Sequence, residues 1–260
     1  MRGIDRSGVF ITGGCGDIGL AVAQRFLQAG ARVVLADLLG AQKGRALIKK
    51  KLDSPNAAFV SCDVTRAASV DAALAVALKF LGRLDTVICN AGIALNEPFL
   101  TATEKAWSAT LAVNLTGSFL TAQRAARIMR KNRRRAHGRR GTILFTGSWV
   151  QDMPWPNGTS YCTSKAGQQM LAKVMAQELA PEGIGVSLVA PGIVYAGLTK
   201  RIYDQNKKFA KLVDQTVPAG RMCSAEEVAG SFLFLAGDDG AYVTGASLLI
   251  DGGATLVRRN

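Results

Sequence analysis

Tyr161 and Lys165 stand four residues apart in YCTSK, inside a stretch that reads as helix, so the two side chains share one face. A free phenol titrates near ~10 and is a poor base at neutral pH. A neighbouring ammonium or an oxidised nicotinamide favours the phenolate and lowers that value. Such a tyrosine can take the proton of an alcohol hydroxyl or return it to a ketone. Pairs at this spacing are common on helix surfaces, and alone the pair decides little. Two further residues give it weight. Ser148 closes the apolar run GTILFTGS, where its hydroxyl can hydrogen-bond a substrate oxygen. Asn114 falls within the helical stretch 107–129, where asparagine is a poor helix former and needs a reason to be present.

A second group concerns phosphate. ITGGCGDIG, residues 11–19, fits two registers. One is G-x-G-x-x-G on Gly14, Gly16 and Gly19. The other is T-G-x-x-x-G-x-G on Thr12, Gly13 and Gly19, with Asp17 in a glycine place. Either brings backbone close to a pyrophosphate and aims a helix N-terminus at it. Asp37 ends the next apolar run, where a carboxylate accepts both ribose hydroxyls of an adenosine and repels a 2′-phosphate. Neighbours 36, 38 and 39 include no lysine or arginine to receive that phosphate, so NAD is expected rather than NADP.

These residues need elements to hold them. Apolar runs at 8–13, 31–37, 57–64, 85–92, 141–148, 185–192 and 246–253 read as strands. Helical periodicity fills 20–30, 69–82, 107–129, 160–180 and 224–237. Strands alternating with helices imply parallel pairing through right-handed crossovers. The expected fold is α/β: a doubly wound, Rossmann-type sheet of seven parallel strands with helices on both faces, one domain over 1–260. Ligands of such sheets sit at the carboxyl ends of the strands, where Gly13, Asp37, Ser148 and the turn after residue 191 all fall.

Composition narrows the classes. The five cysteines are scattered, with no C-x-x-C, and His137 is the one histidine. Reduced thiols in a cytoplasmic protein are expected, with no metal site and no histidine-based triad. No apolar run reaches the eighteen or so residues of a membrane span, so no membrane partner is expected. Net charge is +13, and the stretch from Arg124 to Arg140 holds nine Lys or Arg and no acidic residue. Residues 130–141 are expected to form a solvated, mobile basic surface insertion at the amino edge of the sheet. The run lacks the interleaved aromatics of single-strand binders, and nucleic acid is not expected as a partner.

Taken in chain order, these motifs resemble the short-chain dehydrogenase/reductase family, over essentially all 260 residues. TGGCGDIG matches its cofactor turn, CDV (62–64) its adenine contact and CNAG (89–92) its structural loop. PG (191–192) and YVTGASLLIDGG (242–253) also match. The resemblance favours the T-G-x-x-x-G-x-G register, with Asp17 replacing the middle glycine. Asp17 is then expected to turn aside and cap the following helix, while Gly16 restores backbone freedom. It implies a catalytic set of Asn114, Ser148, Tyr161 and Lys165. Tyr161 is the acid/base, Lys165 lowers its pKa and binds the nicotinamide ribose, Ser148 orients the substrate and Asn114 holds a water. The implied cofactor contacts are Gly13, Gly16, Asp17, Ile18, Gly19, Asp37, Asp63, Val64, Asn90, Ala91, Gly92, Tyr161, Lys165, Pro191, Gly192 and Ile193. Where the family often carries a threonine beyond PG, this chain has Ala196, with Thr199 a possible substitute. The helices of Asn114 and Tyr161 are expected to pair between subunits of a homotetramer.

Trp149, Met153 and Trp155, in a proline-stiffened loop, suit a lipophilic or cyclic alcohol or equally a subunit interface, and 193–216 is the expected substrate-loop region. The leading expectation is an NAD-dependent oxidoreductase interconverting a secondary alcohol and its ketone. The alternatives are an NADPH-dependent 3-oxoacyl-thioester reductase and a non-catalytic cofactor-sensing or nucleic-acid-binding protein.

Overall fold

The computed structural model describes residues 2–256; residue 1 and 257–260, the two ends of the expected 1–260 domain, lie outside them. The seven apolar runs form β1 (Gly8–Thr12), β2 (Arg32–Asp37), β3 (Ala57–Ser61), β4 (Thr86–Cys89), β5 (Gly141–Thr146), β6 (Ile184–Pro191) and β7 (Ser247–Ile250). All pair in parallel, in the order β3-β2-β1-β4-β5-β6-β7. Every residue of β1, β4 and β5 is buried, as strands covered on both faces require. Strand order reverses between β1 and β4, so the crossovers on either side diverge and leave a crevice at their carboxyl ends.

The strand period of two feeds two cores. Val9 and Ile11 join Leu144 beneath α1 (Asp17–Gln28), with Ile48 of α2 (Ala41–Leu52) and the far helix α9 (Ala225–Ala236). Phe10 points the other way and meets Val87 and Phe145 under α3 (Ala67–Leu81), α5 (Gly117–Met129) and α6 (Thr159–Leu179). The remaining helices are α4 (Glu104–Leu111), α7 (Gly197–Gln205) and α8 (Lys207–Thr216). None of the described helices is long and apolar enough to cross a membrane.

Three features depart from the sequence expectations. The pattern offers no helix between β2 and β3, yet α2 is there; only Gly44 and Ile48 of it are buried, which leaves little periodicity to read. The single helix expected over 107–129 is broken into α4, a π-helical turn (Ala112–Thr116) and α5.

The third departure is the basic run, which is not a freely solvated insertion. Arg139 donates to the carbonyls of Leu235, Gly237 and Gly240 at 3.3, 3.3 and 3.0 Å, closing the end of α9. Arg140 donates to the carbonyls of Arg130 and Asn132, both at 2.7 Å. Arg134 reaches those of Gly138 and Pro181, and Arg135 pairs with buried Asp85 at 3.2 Å. Helix and strand ends leave carbonyls without partners, and these guanidiniums supply them. The run thus fastens the amino edge of the sheet, opposite the crevice.

Candidate active site

The π turn explains Asn114. The side chain is fully buried; its Oδ1 accepts the Ile93 N–H at 2.8 Å, and its Nδ2 donates to the Ile93 carbonyl at 2.9 Å and to Ser164 Oγ at 3.0 Å. Within this widened turn its own carbonyl accepts from Ser118 Oγ at 2.6 Å and Gln168 Nε2 at 2.8 Å. Asn114 therefore ties the segment after β4 to the helix that carries Tyr161 and Lys165.

Those two side chains lie together at the head of α6. Lys165 is buried, and its Nζ donates to the Thr146 carbonyl at 2.7 Å, 5.6 Å from the Tyr161 ring centroid. Burial disfavours the ammonium and brings the lysine down to about 8. Burial also raises the Tyr161 phenol above its ordinary value, and a hydrogen bond with Ser148 offsets only part of that rise. A phenol lowered by Lys165 is therefore not what the packing gives: desolvation dominates, and the counteracting group is Ser148. Ser148 itself is held as the N-cap of a short 3₁₀ turn (Trp149–Gln151), its Oγ accepting the Val150 N–H at 3.4 Å.

A cleft of about 500 Å³ opens beside this cluster, at the switch between β1 and β4. Gly13, Gly16, Asp17, Ile18 and Gly19 line one end, Asp37, Asp63 and Val64 a second side, and Asn90, Ala91 and Gly92 lead toward the cluster. A Cβ on Gly92 would lie 3.8 Å from Lys165 Nζ and 3.4 Å from Asn114 Oδ1, so the cleft ends against those groups. Gly13 takes φ +60 and passes so near the segment after β4 that a Cβ would lie 2.8 Å from the Ala91 Cα. The turn is thus built for backbone to approach a ligand, which fits a dinucleotide diphosphate. Asp37 also steadies the turn, its Oδ2 accepting the Cys15 N–H at 3.0 Å. The Asn90 amide is used internally: it donates to the carbonyls of Thr12 and Gly13 and accepts from Thr146 Oγ1, joining three strand ends.

Asp17 does not cap α1. Gly16 is the N-cap residue, with no side-chain cap, and its φ of −75 makes no use of glycine's freedom. The Asp17 Oδ2 instead accepts the Gly197 N–H at 2.7 Å. After β6, Ala196 and Gly197 line the cleft, and Thr199 falls within α7. Cys62, the first residue of CDV, also lines it, as do Leu38, Ile93 and Val113, which carry no polar signal in the sequence. Thr146, which holds both Lys165 and Asn90, was readable as a polar residue at the carboxyl end of a buried strand.

The substrate side is closed by apolar side chains. Trp149 stacks at a tilt on Trp155, with ring centroids 5.4 Å apart. Trp149 packs with Val213, Val217 and Met222, and Met153, Trp155, Tyr161 and Tyr203 border the same cluster. Thus α7 and α8, within the expected substrate-loop region, cover Tyr161.

The family model described as enoyl-(acyl carrier protein) reductase matches residues 15–255. An uncharacterized oxidoreductase of Mycobacterium bovis is 37% identical over 94% of this chain and 94% of its own length. The 3-oxoacyl-[acyl-carrier-protein] reductase MabA of the same organism is 32% identical over 94% and 91%. A solved short-chain type dehydrogenase/reductase from Mycobacterium marinum superposes with a TM-score of 0.86, at 33% identity over 98% of both chains. The chain belongs to the short-chain dehydrogenase/reductase family. Membership makes it an oxidoreductase of nicotinamide-cofactor type, and the glycine turn and the end of β2 lie together in the cleft described above.

Proposed function

We propose that this chain is an NAD-dependent oxidoreductase that interconverts a secondary alcohol and its ketone. The observation that carries the proposal is the end of the cleft: Gly92 abuts Lys165 Nζ and Asn114 Oδ1, and Tyr161, at the head of the helix that carries Lys165, is hydrogen-bonded to Ser148. Gly13 to Gly19 would face the diphosphate of the dinucleotide, Asp37 the adenosine ribose, and Asp63 and Val64 the adenine. Bound there, the dinucleotide supplies a nicotinamide that accepts or donates hydride. Tyr161 takes the hydroxyl proton in oxidation and returns it in reduction, with Ser148 holding the substrate oxygen beside it. Lys165, tied to Thr146 and poised near neutral pH by burial, holds positive charge behind the phenol, and Asn114 fixes the segment after β4 at Ile93. The apolar cover of Trp149, Met153 and Trp155 suits a lipophilic alcohol. The protein would work in the cytoplasm as a homotetramer.

NAD is favoured over NADP because Asp37 would meet the ribose end and, among the described residues, no lysine or arginine lines the cleft there. The relative MabA, named as a 3-oxoacyl-[acyl-carrier-protein] reductase, supports a second reading as a reductase of 3-oxoacyl thioesters. One experiment separates them. Purified protein is assayed with NAD and with NADP against polyols, aryl alcohols, steroids and 3-hydroxyacyl thioesters, with Tyr161→Phe alongside. Turnover with NAD on a simple secondary alcohol, reduced roughly 10²–10⁴-fold in the variant, is the expected result. Preference for NADP and thioester would install the second reading. Nucleotide binding without any turnover would leave the non-catalytic alternative.

A further inference from the structure

Asp17 occupies a place that the cofactor turn usually gives to a residue without a side chain, and its carboxylate is employed at a distance. It reaches from the first turn of α1 to the first residue of α7, 180 positions on, where its Oδ2 accepts the Gly197 N–H at 2.7 Å. Gly197 has φ +52, a left-handed conformation, and a Cβ there would meet nothing within 4 Å. The glycine is therefore present for its backbone conformation, not for close packing. Asp17, Ala196 and Gly197 line the same cleft as Gly13 and Gly19. The tethered segment is not incidental: Tyr203 of α7 and Val213 of α8 belong to the apolar cover over Trp149 and Tyr161.

Charge gives the same residue a second effect. Three carboxylates line the cleft, from Asp17, Asp37 and Asp63, and among the described residues no cationic side chain lines it at the glycine turn. The Asp37 carboxylate is engaged by the Cys15 N–H, and Asp63 is engaged locally by Thr65. Asp17 sits on the turn itself, where the backbone would receive a diphosphate.

We propose that Asp17 is a positioning residue with two opposed effects: it fastens the start of α7, and so the segment covering Tyr161, while its charge weakens the diphosphate seat beside it. This rests on the reading of the cleft as a dinucleotide site, and the two halves can be tested apart. Asp17→Asn keeps a carbonyl oxygen for the Gly197 N–H and removes the charge. Asp17→Ala removes both and leaves a residue that suits the first turn of a helix.

Calorimetry with ADP-ribose and with adenosine reads the charge, and hydrogen exchange of residues 197–205 without nucleotide reads the tether. Asp17→Asn should bind ADP-ribose roughly three- to tenfold more tightly than the unmodified protein. Adenosine, which has no phosphate, should bind both alike. The ADP-ribose gain should shrink in high salt, as a charge effect must. Exchange in α7 should stay near the unmodified rate in Asp17→Asn and accelerate severalfold in Asp17→Ala. Unchanged or weaker ADP-ribose binding in Asp17→Asn overturns the charge half, and unaltered α7 exchange in Asp17→Ala overturns the tether. If ADP-ribose binds none of the three proteins, the dinucleotide reading of the cleft fails and the charge half with it, while the exchange result still decides the tether.

Discussion

At the scale of single residues, the site sets two ionisable groups against burial, and burial shifts both. Tyr161 is raised and Lys165 lowered, each toward its neutral form. For Lys165 this carries a stability consequence with a definite sign. Between about 8 and the ordinary 10.5, the folded protein holds less of this proton than the unfolded chain does. Stability must therefore rise with pH across that window, by about 3 kcal/mol if the whole shift is realised. Lys165→Met removes the charge from the buried position at similar length. The expected outcome is a variant more stable than the unmodified protein at pH 7, with an advantage that shrinks toward pH 10. Urea unfolding midpoints for both proteins across pH 7 to 10 check it; a constant difference would place the lysine's charge in water. Lys165 is thus costly to keep, which is the behaviour of a residue retained for chemistry rather than for folding.

Among elements, the amino edge of the sheet shows how an arginine-rich sequence becomes structure. Arg139 satisfies three carbonyls around the end of α9, and burial lowers the pKa of its guanidinium. Arg139→Ala leaves those carbonyls without that donor and should cost about 2–4 kcal/mol. Arg133, exposed in the same run, should change stability by less than about 0.5 kcal/mol when replaced by alanine. Thermal unfolding of the two variants separates a fastening role from a solvated one, and neither should alter substrate KM, because the crevice is at the opposite edge. This contrast also marks what the sequence could reveal. Buried strands such as GVFIT and GTILFT are legible because burial on both faces needs unbroken apolar runs. Tyr161, Lys165 and Ser148 are legible because spacing and strand ends bring them together. Legibility fails where partners are backbone atoms: Arg139 looks like solvent-facing charge until the carbonyls of α9 arrive from almost a hundred residues away. It fails again at Asp17, whose partner at Gly197 depends on the path of the chain after β6. Asn114 is an intermediate case, since its misfit in a helix was visible but the π turn that resolves it was not. α2 escaped notice because five cations mask its narrow buried stripe.

For the whole molecule, charge and apolar surface pull in different directions. Each chain carries a net charge of +13, so copies repel one another in dilute salt. Yet α6, which presents Tyr161 and Lys165 at one end, exposes Met170 and Val174 four residues apart farther along, at 59% and 46% of full exposure. Trp107 of α4 and Phe119 of α5 are exposed as well, on the helices flanking the π turn of Asn114. A homotetramer that pairs these helices would cover the apolar side chains and brace the elements that hold the proposed catalytic residues. Salt screens the repulsion while leaving the apolar contribution intact, with a Debye length falling to roughly 8 Å near physiological ionic strength. The tetramer fraction measured by light scattering after gel filtration should therefore rise with salt. Met170→Glu combined with Val174→Glu should shift the population to smaller species at every salt concentration, because each copy would then carry carboxylates into the joint. Activity should fall in parallel, since α6 loses its support beyond Tyr161. A tetramer unaffected by the double substitution would assign those side chains to open surface and move the joint to another face. Full activity in a dissociated variant would instead show that each chain holds its site unaided.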